Sequence, residues 1–237
     1  MEMLQLYRRT FSTLVLDEAD IILNDPFCRF TLDTLHVLER INEDLSVVAA
    51  GATIPRNGKK TAGGILSSEF HQLFWCEGEE RNSIPSNISV SFIEKLDDAD
   101  KKSELNSLAS KLQKRNSILF VKNVSRAEEV ASALKAMNVK VQIISQDLDD
   151  AKRDQAIRKV MKDSNLCTIC TDLVSRGLDT QQVSLVIQYD FATDISAFLH
   201  RCGRTGRNGK QGEVICFVTP ENDLLYNGIK VSVSWKQ

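Results

Sequence analysis

The apolar positions of this chain fall into short runs separated by charged stretches, and the runs are of two kinds. Thr13–Leu16, Ser46–Ala50, Ile118–Val121, Val139–Ile144, Leu166–Cys170, Val183–Tyr189 and Glu213–Val218 are brief and rich in Val, Ile and Leu, which suits strands buried on both faces. Between them lie longer segments with apolar residues three and four apart. Phe27–Ile41 reads as an amphipathic helix, with His36 as a packed or half-exposed side chain. Ala127, Val130, Ala131, Leu134 and Met137 share one face of a second helix. Ser125-Arg-Ala-Glu128 fits a capping box for that helix, and Asp149 fits the cap of a third, whose Ile157, Val160 and Met161 face inward. Strands alternating with helices predict a parallel sheet covered on both faces.

The alternation is interrupted once. After the apolar segment Gln72–Trp75 the chain turns polar through Glu77-Gly-Glu-Glu80 and Pro85, so residues 77–95 read as a linker between a first part, 1–76, and a second, 96–237. The second part has strands enough for one complete α/β domain. The first has few, and reads as a partial domain whose missing strands would be encoded upstream. Its open sheet edges predict that limited proteolysis removes the first ~90 residues and leaves a core beginning near Leu96.

Composition narrows the field. Thirty Lys and Arg against 32 Asp and Glu give a net charge of −2, so no global field draws nucleic acid and any such contact must be local. The six cysteines are scattered, as in a protein of a reducing, intracellular compartment. Cys167 and Cys170 have metal-ligand spacing but lie within a strand, where an offset of three residues sends the thiols to opposite faces; they read as structural. Asn87-Ile-Ser89 and Asn123-Val-Ser125 match the glycosylation triplet, and without a secretory signal pattern they read as chance. No apolar run has membrane-spanning length.

Several segments carry chemistry. Asp17-Glu18-Ala19-Asp20 follows the first strand, and an acidic pair in that position is how nucleotide-hydrolysing domains hold Mg²⁺. His200-Arg-Cys-Gly-Arg-Thr-Gly-Arg207 spaces three arginines three residues apart, interleaved with glycines, which suits a polyphosphate or phosphodiester. A guanidinium delivered to a transferring phosphoryl group is worth about 10³–10⁵ in rate. Thr171–Asp179 emerges from the carboxyl end of a strand, where α/β domains bind ligands, and Gly51-Ala52-Thr53 follows its strand in the same way.

With these segments in this order, the chain resembles the DEAD-box ATP-dependent RNA helicases of superfamily 2. Asp17–Asp20 matches the motif that names the family, Gly51–Thr53 its Ser-Ala-Thr motif, Ile118–Val121 motif IV, Thr171–Asp179 motif V and His200–Arg207 motif VI. The resemblance implies an α/β fold of two RecA-like domains, each a parallel sheet with helices on both faces, that close on ATP in their cleft and on single-stranded RNA across their top. Here it implies one complete carboxyl-terminal RecA-like domain and a partial amino-terminal one. It further implies that Asp17 holds Mg²⁺ through water and that Glu18 polarises the attacking water. Asp20, Thr53 and His200 would couple hydrolysis to RNA, and Arg204 and Arg207 would act on the γ-phosphate. Asp179 would face the ribose, while Thr171, Arg176 and Gly177 would lie along the RNA-binding or interdomain edge. Arg201 belongs to the match without a separate role.

The departures are specific. Gly51 replaces the family's Ser and deletes a hydroxyl that would bond Asp20; Asn123 replaces a Thr of motif IV; Ser145-Gln146 replaces His-Gly; and Asp150 replaces the Gln three residues before Arg153. Gly51-Ala52-Thr53 followed by Ile54-Pro55, together with Gln188–Phe191, is similar to a mitochondrial branch of the family associated with assembly of the large ribosomal subunit. That likeness implies RNA and ribosome-assembly or helicase partners, and a mitochondrial location ahead of a nuclear, nucleolar or cytoplasmic one.

No Gly-x-x-x-x-Gly-Lys-[Ser/Thr] phosphate loop lies within the chain. Gly58-Lys59 lacks the leading glycine because Thr53 stands there, and Gly209-Lys210 fails likewise at Arg204. The expectation is therefore the carboxyl-terminal portion of an RNA helicase that does not turn over ATP by itself. The alternative is a non-catalytic module that binds RNA or a helicase partner.

Overall fold

The computed structural model describes residues 12–24, 27–51, 54, 58, 61–70, 72–76, 83–145, 147–172 and 180–235. The chain forms two compact units, Met1–Arg81 and Asn82–Gln237.

In the first unit, β1 (Thr13–Leu16) pairs in parallel with β2 (Ser46–Ala49), Leu16 opposite Ala49. The intervening chain forms α1 (Ala19–Ile22) and α2 (Cys28–Ile41), and α3 (Ala62–Glu69) follows β2. One face of the pair, Leu14, Leu16, Val47 and Ala49, packs with Ala19, Leu23, Leu32, Ala62 and Leu66 into a small core. Thr61 caps α3 by accepting from the Gly64 amide, and His36 of α2 meets Glu69 of α3 at 2.7 Å.

The second unit is built on a six-stranded, wholly parallel sheet. Its strands are β4 (Ile88–Ile93), β5 (Ser117–Phe120), β6 (Lys140–Ile144), β7 (Leu166–Cys170), β8 (Leu185–Gln188) and β9 (Gly212–Phe217), in the spatial order β4-β9-β8-β5-β7-β6. β3 (Ser83–Ile84) and β10 (Ser234–Trp235) make a separate parallel pair. Among the described residues the unit's α-helices are α4 (Asp98–Ser107), α5 (Ala109–Leu112), α6 (Val124–Ala136), α7 (Asp150–Lys162), α8 (Ile195–Cys202) and α9 (Asp223–Ser232). Every residue of β5, β7 and β8 is buried, as the continuous apolar runs predict.

Alternate side chains feed two cores. Leu119, Cys167, Ile169, Leu185, Ile187 and Phe217 pack on one face with Leu105, Leu112, Ala127, Val130, Ala131 and Leu134. Ile118, Phe120, Cys170, Val186, Val214 and Cys216 pack on the other with Phe198, Cys202, Tyr226 and Ile229. Cys167 and Cys170 thus face opposite cores, as their offset requires. Burial pushes both thiols up to about 12.

Three local expectations are corrected. Residues 88–93, read as part of the linker, form β4, because Ile88, Val90 and Phe92 alternate with serines that reach toward the β9 backbone: Ser89 Oγ donates to the Gly212 carbonyl at 3.3 Å. The second unit consequently begins at Asn82 and not at Leu96. The cap of α6 is Asn123, whose Oδ1 accepts from the Arg126 amide at 2.9 Å, so Ser125–Glu128 lies inside the helix. Asp149 does cap α7, accepting from the Lys152 amide at 2.8 Å.

Candidate functional site

The acidic motif leaves β1 through a constrained turn. Asp17 is exposed, and its Oδ1 accepts from the Glu18 amide at 2.9 Å. Glu18 sits at φ 50°, ψ 44°, the left-handed region, as the residue that caps α1; its carbonyl accepts from Ile21 and Ile22. For a residue with a Cβ that conformation costs of order 1 kcal/mol, and strain of this kind gathers at functional positions. Asp20, in the first turn of α1, is only 4% exposed.

The parallel pair continues past the strands, with the Ala50 amide donating to Leu16 O and the Ala19 amide to Ala50 O, both at 2.8 Å. That continuation brings Gly51 against the acidic motif. A Cβ at position 51 would stand 2.8 Å from Asp20 Oδ1 and 3.0 Å from Ile54 Cγ1. The sequence reading of Gly51 as a lost hydroxyl is thereby sharpened: the side chains of Asp20 and Ile54 occupy the space a serine Cβ would need.

In the second unit the site lies at the carboxyl edge of the sheet, where strand order reverses: the chain leaves β7, passes β5 and enters β8. Thr171, half-buried, and Asp172 follow β7 directly. Asp194 caps α8 by accepting from the Ala197 amide at 2.8 Å, and the last turn of α8 carries His200 and Arg201.

The three arginines of the motif behave differently. Arg201 is 3% exposed and points inward. Its Nε and Nη2 donate to the two oxygens of Asp172 at 2.6 and 2.8 Å. Its Nη1 donates to the Asp190 carbonyl at 2.7 Å and to Gln188 Oε1 at 3.3 Å. The guanidinium lies 4.9 Å from the centre of the Phe120 ring. Asp190 is held in turn by buried Lys101 of α4 at 3.0 Å and by the Lys122 amide at 3.0 Å.

Arg204 and Arg207 share a second pattern. Each turns its Nε back to the carbonyl four residues earlier, Arg204 to His200 and Arg207 to Gly203, both at 3.2 Å. Arg204 is 6% exposed and Arg207 half-buried.

The loop between them is fixed from outside. Thr205 Oγ1 donates to Val183 O at 2.8 Å, and Asn87 Nδ2 donates to Gly206 O at 2.7 Å and to Lys210 O at 2.6 Å. Gly206 adopts φ +70°, and a Cβ there would stand 2.5 Å from Ile88 Cγ1, so only glycine fits. Asn87, read as a chance glycosylation triplet, is therefore a clamp on this loop. No sequence signal marks it, since its partners lie more than a hundred residues away.

Thr53, Arg176, Gly177 and Asp179, together with Gln146 and Pro55, lie outside the described residues. Among the described residues no group of three or more His, Cys, Asp or Glu is placed to hold a metal ion. A single exposed carboxylate such as Asp17 suits Mg²⁺ that arrives with a nucleotide's phosphates and keeps much of its water. No described helix is long and apolar enough to cross a membrane.

Comparison with known proteins gives the same likeness. Residues 100–209 match the helicase conserved C-terminal domain. Over 218 residues the chain is 31% identical to the DEAD-box ATP-dependent RNA helicase CshA of Bacillus licheniformis, covering 92% of this chain and 43% of that protein. The chain is a homologue of the DEAD-box RNA helicases. Its fold is RecA-like: S. cerevisiae Dbp5 bound to RNA and ADP BeF3 superposes with a TM-score of 0.81 at 26% identity, over 99% of this chain and 62% of that one. A variant of Dbp5 bound to Gle1 and IP6 superposes at 0.67 with 25% identity, over 99% and 61%. The chain spans about half the length of the curated relatives it matches. These DEAD-box relatives do not single out the mitochondrial branch.

Proposed function

We propose that this chain is the carboxyl-terminal portion of a DEAD-box RNA helicase, whose whole reaction is RNA-stimulated ATP hydrolysis with local strand separation. The observation that carries this reading is the paired geometry of Arg204 and Arg207, each guanidinium braced by its own Nε on the backbone four residues before it. Two guanidinium groups braced by the same kind of bond, three residues apart, suit a polyphosphate, and Dbp5, a relative of the same fold, is known with RNA and ADP BeF3. In this reading Arg204 and Arg207 bind the γ-phosphate and Asp179 faces the ribose. Thr171, Arg176 and Gly177 follow the RNA backbone, Asp17 meets Mg²⁺ through water, Glu18 orients the attacking water, and Asp20, Thr53 and His200 couple the two events. When bound, Mg²⁺ supplies charge neutralisation on the phosphates.

The chain by itself binds RNA and phosphate without turning over ATP, since no phosphate loop falls within its 237 residues. Purified full chain is expected to bind single-stranded RNA with an affinity that falls steeply as salt rises, and to hydrolyse ATP no faster than its Glu18→Gln variant. RNA-stimulated hydrolysis that disappears in Glu18→Gln would overturn the inactivity, and absence of RNA binding at low salt would overturn the ligand. The tight approach of Gly51 to Asp20 favours a second reading, a module that binds RNA or a partner without catalysis. A longer polypeptide carrying this chain and a phosphate loop, but inactive with RNA, would select it.

A further inference from the structure

In open parallel sheets, the crevice at the strand-order reversal is where ligands commonly bind. In this chain a side chain of its own fills it. Arg201 reaches in from α8 and bonds to the end of β7 through Asp172 and to the end of β8 through Gln188 and Asp190, with β5 below it through Phe120. We propose that Arg201 is a positioning residue: it locks the end of α8 so that Arg204 and Arg207 present their guanidinium groups to phosphate, and it makes no phosphate contact itself. The proposal rests on the assignment of Arg204 and Arg207 to phosphate made above.

Three observations carry it. Each nitrogen of the Arg201 guanidinium already donates to a protein acceptor, and the side chain is closed off from solvent. An arginine reaching for phosphate would abandon Asp172 and two acceptors of β8, one of them the wholly buried Gln188. The bonding is also a fork, two parallel donors onto one carboxylate with a third nitrogen turned to another strand, which a lysine's single ammonium does not reproduce. Finally, the lock is covalently close to what it would position. The Arg204 amide donates to Arg201 O at 3.1 Å, and the Gly203 amide to Leu199 O at 2.9 Å, so the turn that carries Arg204 is built on the residue that Asp172 grips.

The test uses the full chain labelled with ¹⁵N-arginine and inorganic tripolyphosphate as probe, following the Nε–H signals of the arginines. In the wild type, Arg204 and Arg207 shift on titration while Arg201 stays fixed and slow to exchange. Arg201→Lys and Asp172→Asn each lower tripolyphosphate affinity about tenfold and speed exchange of the Arg204 Nε–H. Phe198→Leu, a core change on the same helix, lowers the melting temperature and leaves both readouts at wild type, which separates positioning from mere stability. Should Arg201→Lys fail to fold, Asp172→Asn, altered at a partly exposed partner, carries the same expectation.

A shift of the Arg201 signal on titration would make it a ligand and overturn the proposal. So would wild-type exchange and affinity in both variants. If Arg204 and Arg207 stay silent with tripolyphosphate in the wild type, the phosphate assignment fails; the exchange of the Arg204 Nε–H in the variants then still decides whether Arg201 positions it.

Discussion

Both units carry acidic or basic motifs, one directly after a parallel strand and the other at the end of a helix packed on the sheet, but they cover their strands differently. In the second unit β5, β7 and β8 are buried throughout, with a helix-backed core on either face. In the first, among the described residues, only one face of β1 and β2 is covered; on the other, Val15 and Val48 stand opposite each other at 60% and 52% exposure. A parallel sheet gains its stability from burial on both faces, so sequence motifs of equal clarity rest here on frames of very unequal strength. The motif of the second unit is held by polar bonds from the ends of two strands and by the Phe120 ring of a third, that of the first by a short helix and the close approach of the Gly51 backbone.

The largest effect expected from this difference is in proteolysis. Brief digestion of the full chain should cut within residues 1–81 at least tenfold faster than within the second unit, in line with local stabilities that range from near zero to the global value. It should leave a resistant fragment that begins before Ile88. A fragment starting at or beyond Leu96 would mean that β4 does not belong to the sheet.

Next is Lys101→Ala, which strands buried Asp190 and should cost about 3–5 kcal/mol in urea unfolding of the second unit. A loss under about 1 kcal/mol would show the Lys122 amide to suffice for Asp190. Matched truncations then compare the sheets directly. Ile187→Ala should cost about 2–5 kcal/mol and Val48→Ala no more than about 0.5, and similar losses at both would remove the contrast.

Gly51→Ser restores the residue usual in the family yet should destabilise α1 by about 1–3 kcal/mol through overpacking against Asp20, read as faster amide exchange at Ala19–Leu23. Slower exchange there would mean that the hydroxyl is accommodated. The smallest effect is at Glu18. Glu18→Gly should raise the stability of the first unit by up to about 1 kcal/mol over Glu18→Ala, because only glycine takes the left-handed conformation without penalty. Equal stability of the two would show that the turn carries no strain.

Most of the frame was legible because buried parallel strands write themselves as continuous apolar runs: β5, β7, β8 and β9 fall within a residue or two of where Ile, Val and Leu cluster. β4 was not, because serine at every second position mimics a polar linker until a neighbouring strand takes its hydroxyls. The basic motif was legible as chemistry but not as three roles. Equal spacing makes Arg201, Arg204 and Arg207 look alike, and only their distances to Asp172 and to the backbone separate the arginine that bonds across to two strands from the two that turn back onto their own backbone. Arg201 follows Phe198 by three residues on a helix whose inner face Phe198 marks, and that pairing was the available signal. The left-handed Glu18 and the closeness of Gly51 to Asp20 left none, since both depend on how two strands register.

The thiols buried in the second unit have a use beyond packing. Cys167, Cys170, Cys202 and Cys216 are all enclosed, and burial pushes the first three to about 12 and Cys216 well above its ordinary value, whereas Cys76 in the first unit is exposed. Thiolates, not thiols, react with alkylating reagents. Alkylation therefore marks Cys76, and half-buried Cys28 of the same unit, in the native protein and reaches the four enclosed thiols only when the second unit opens. The rate at which those four masses appear counts openings of the domain, with Cys76 in the same sample confirming that reagent was present from the start.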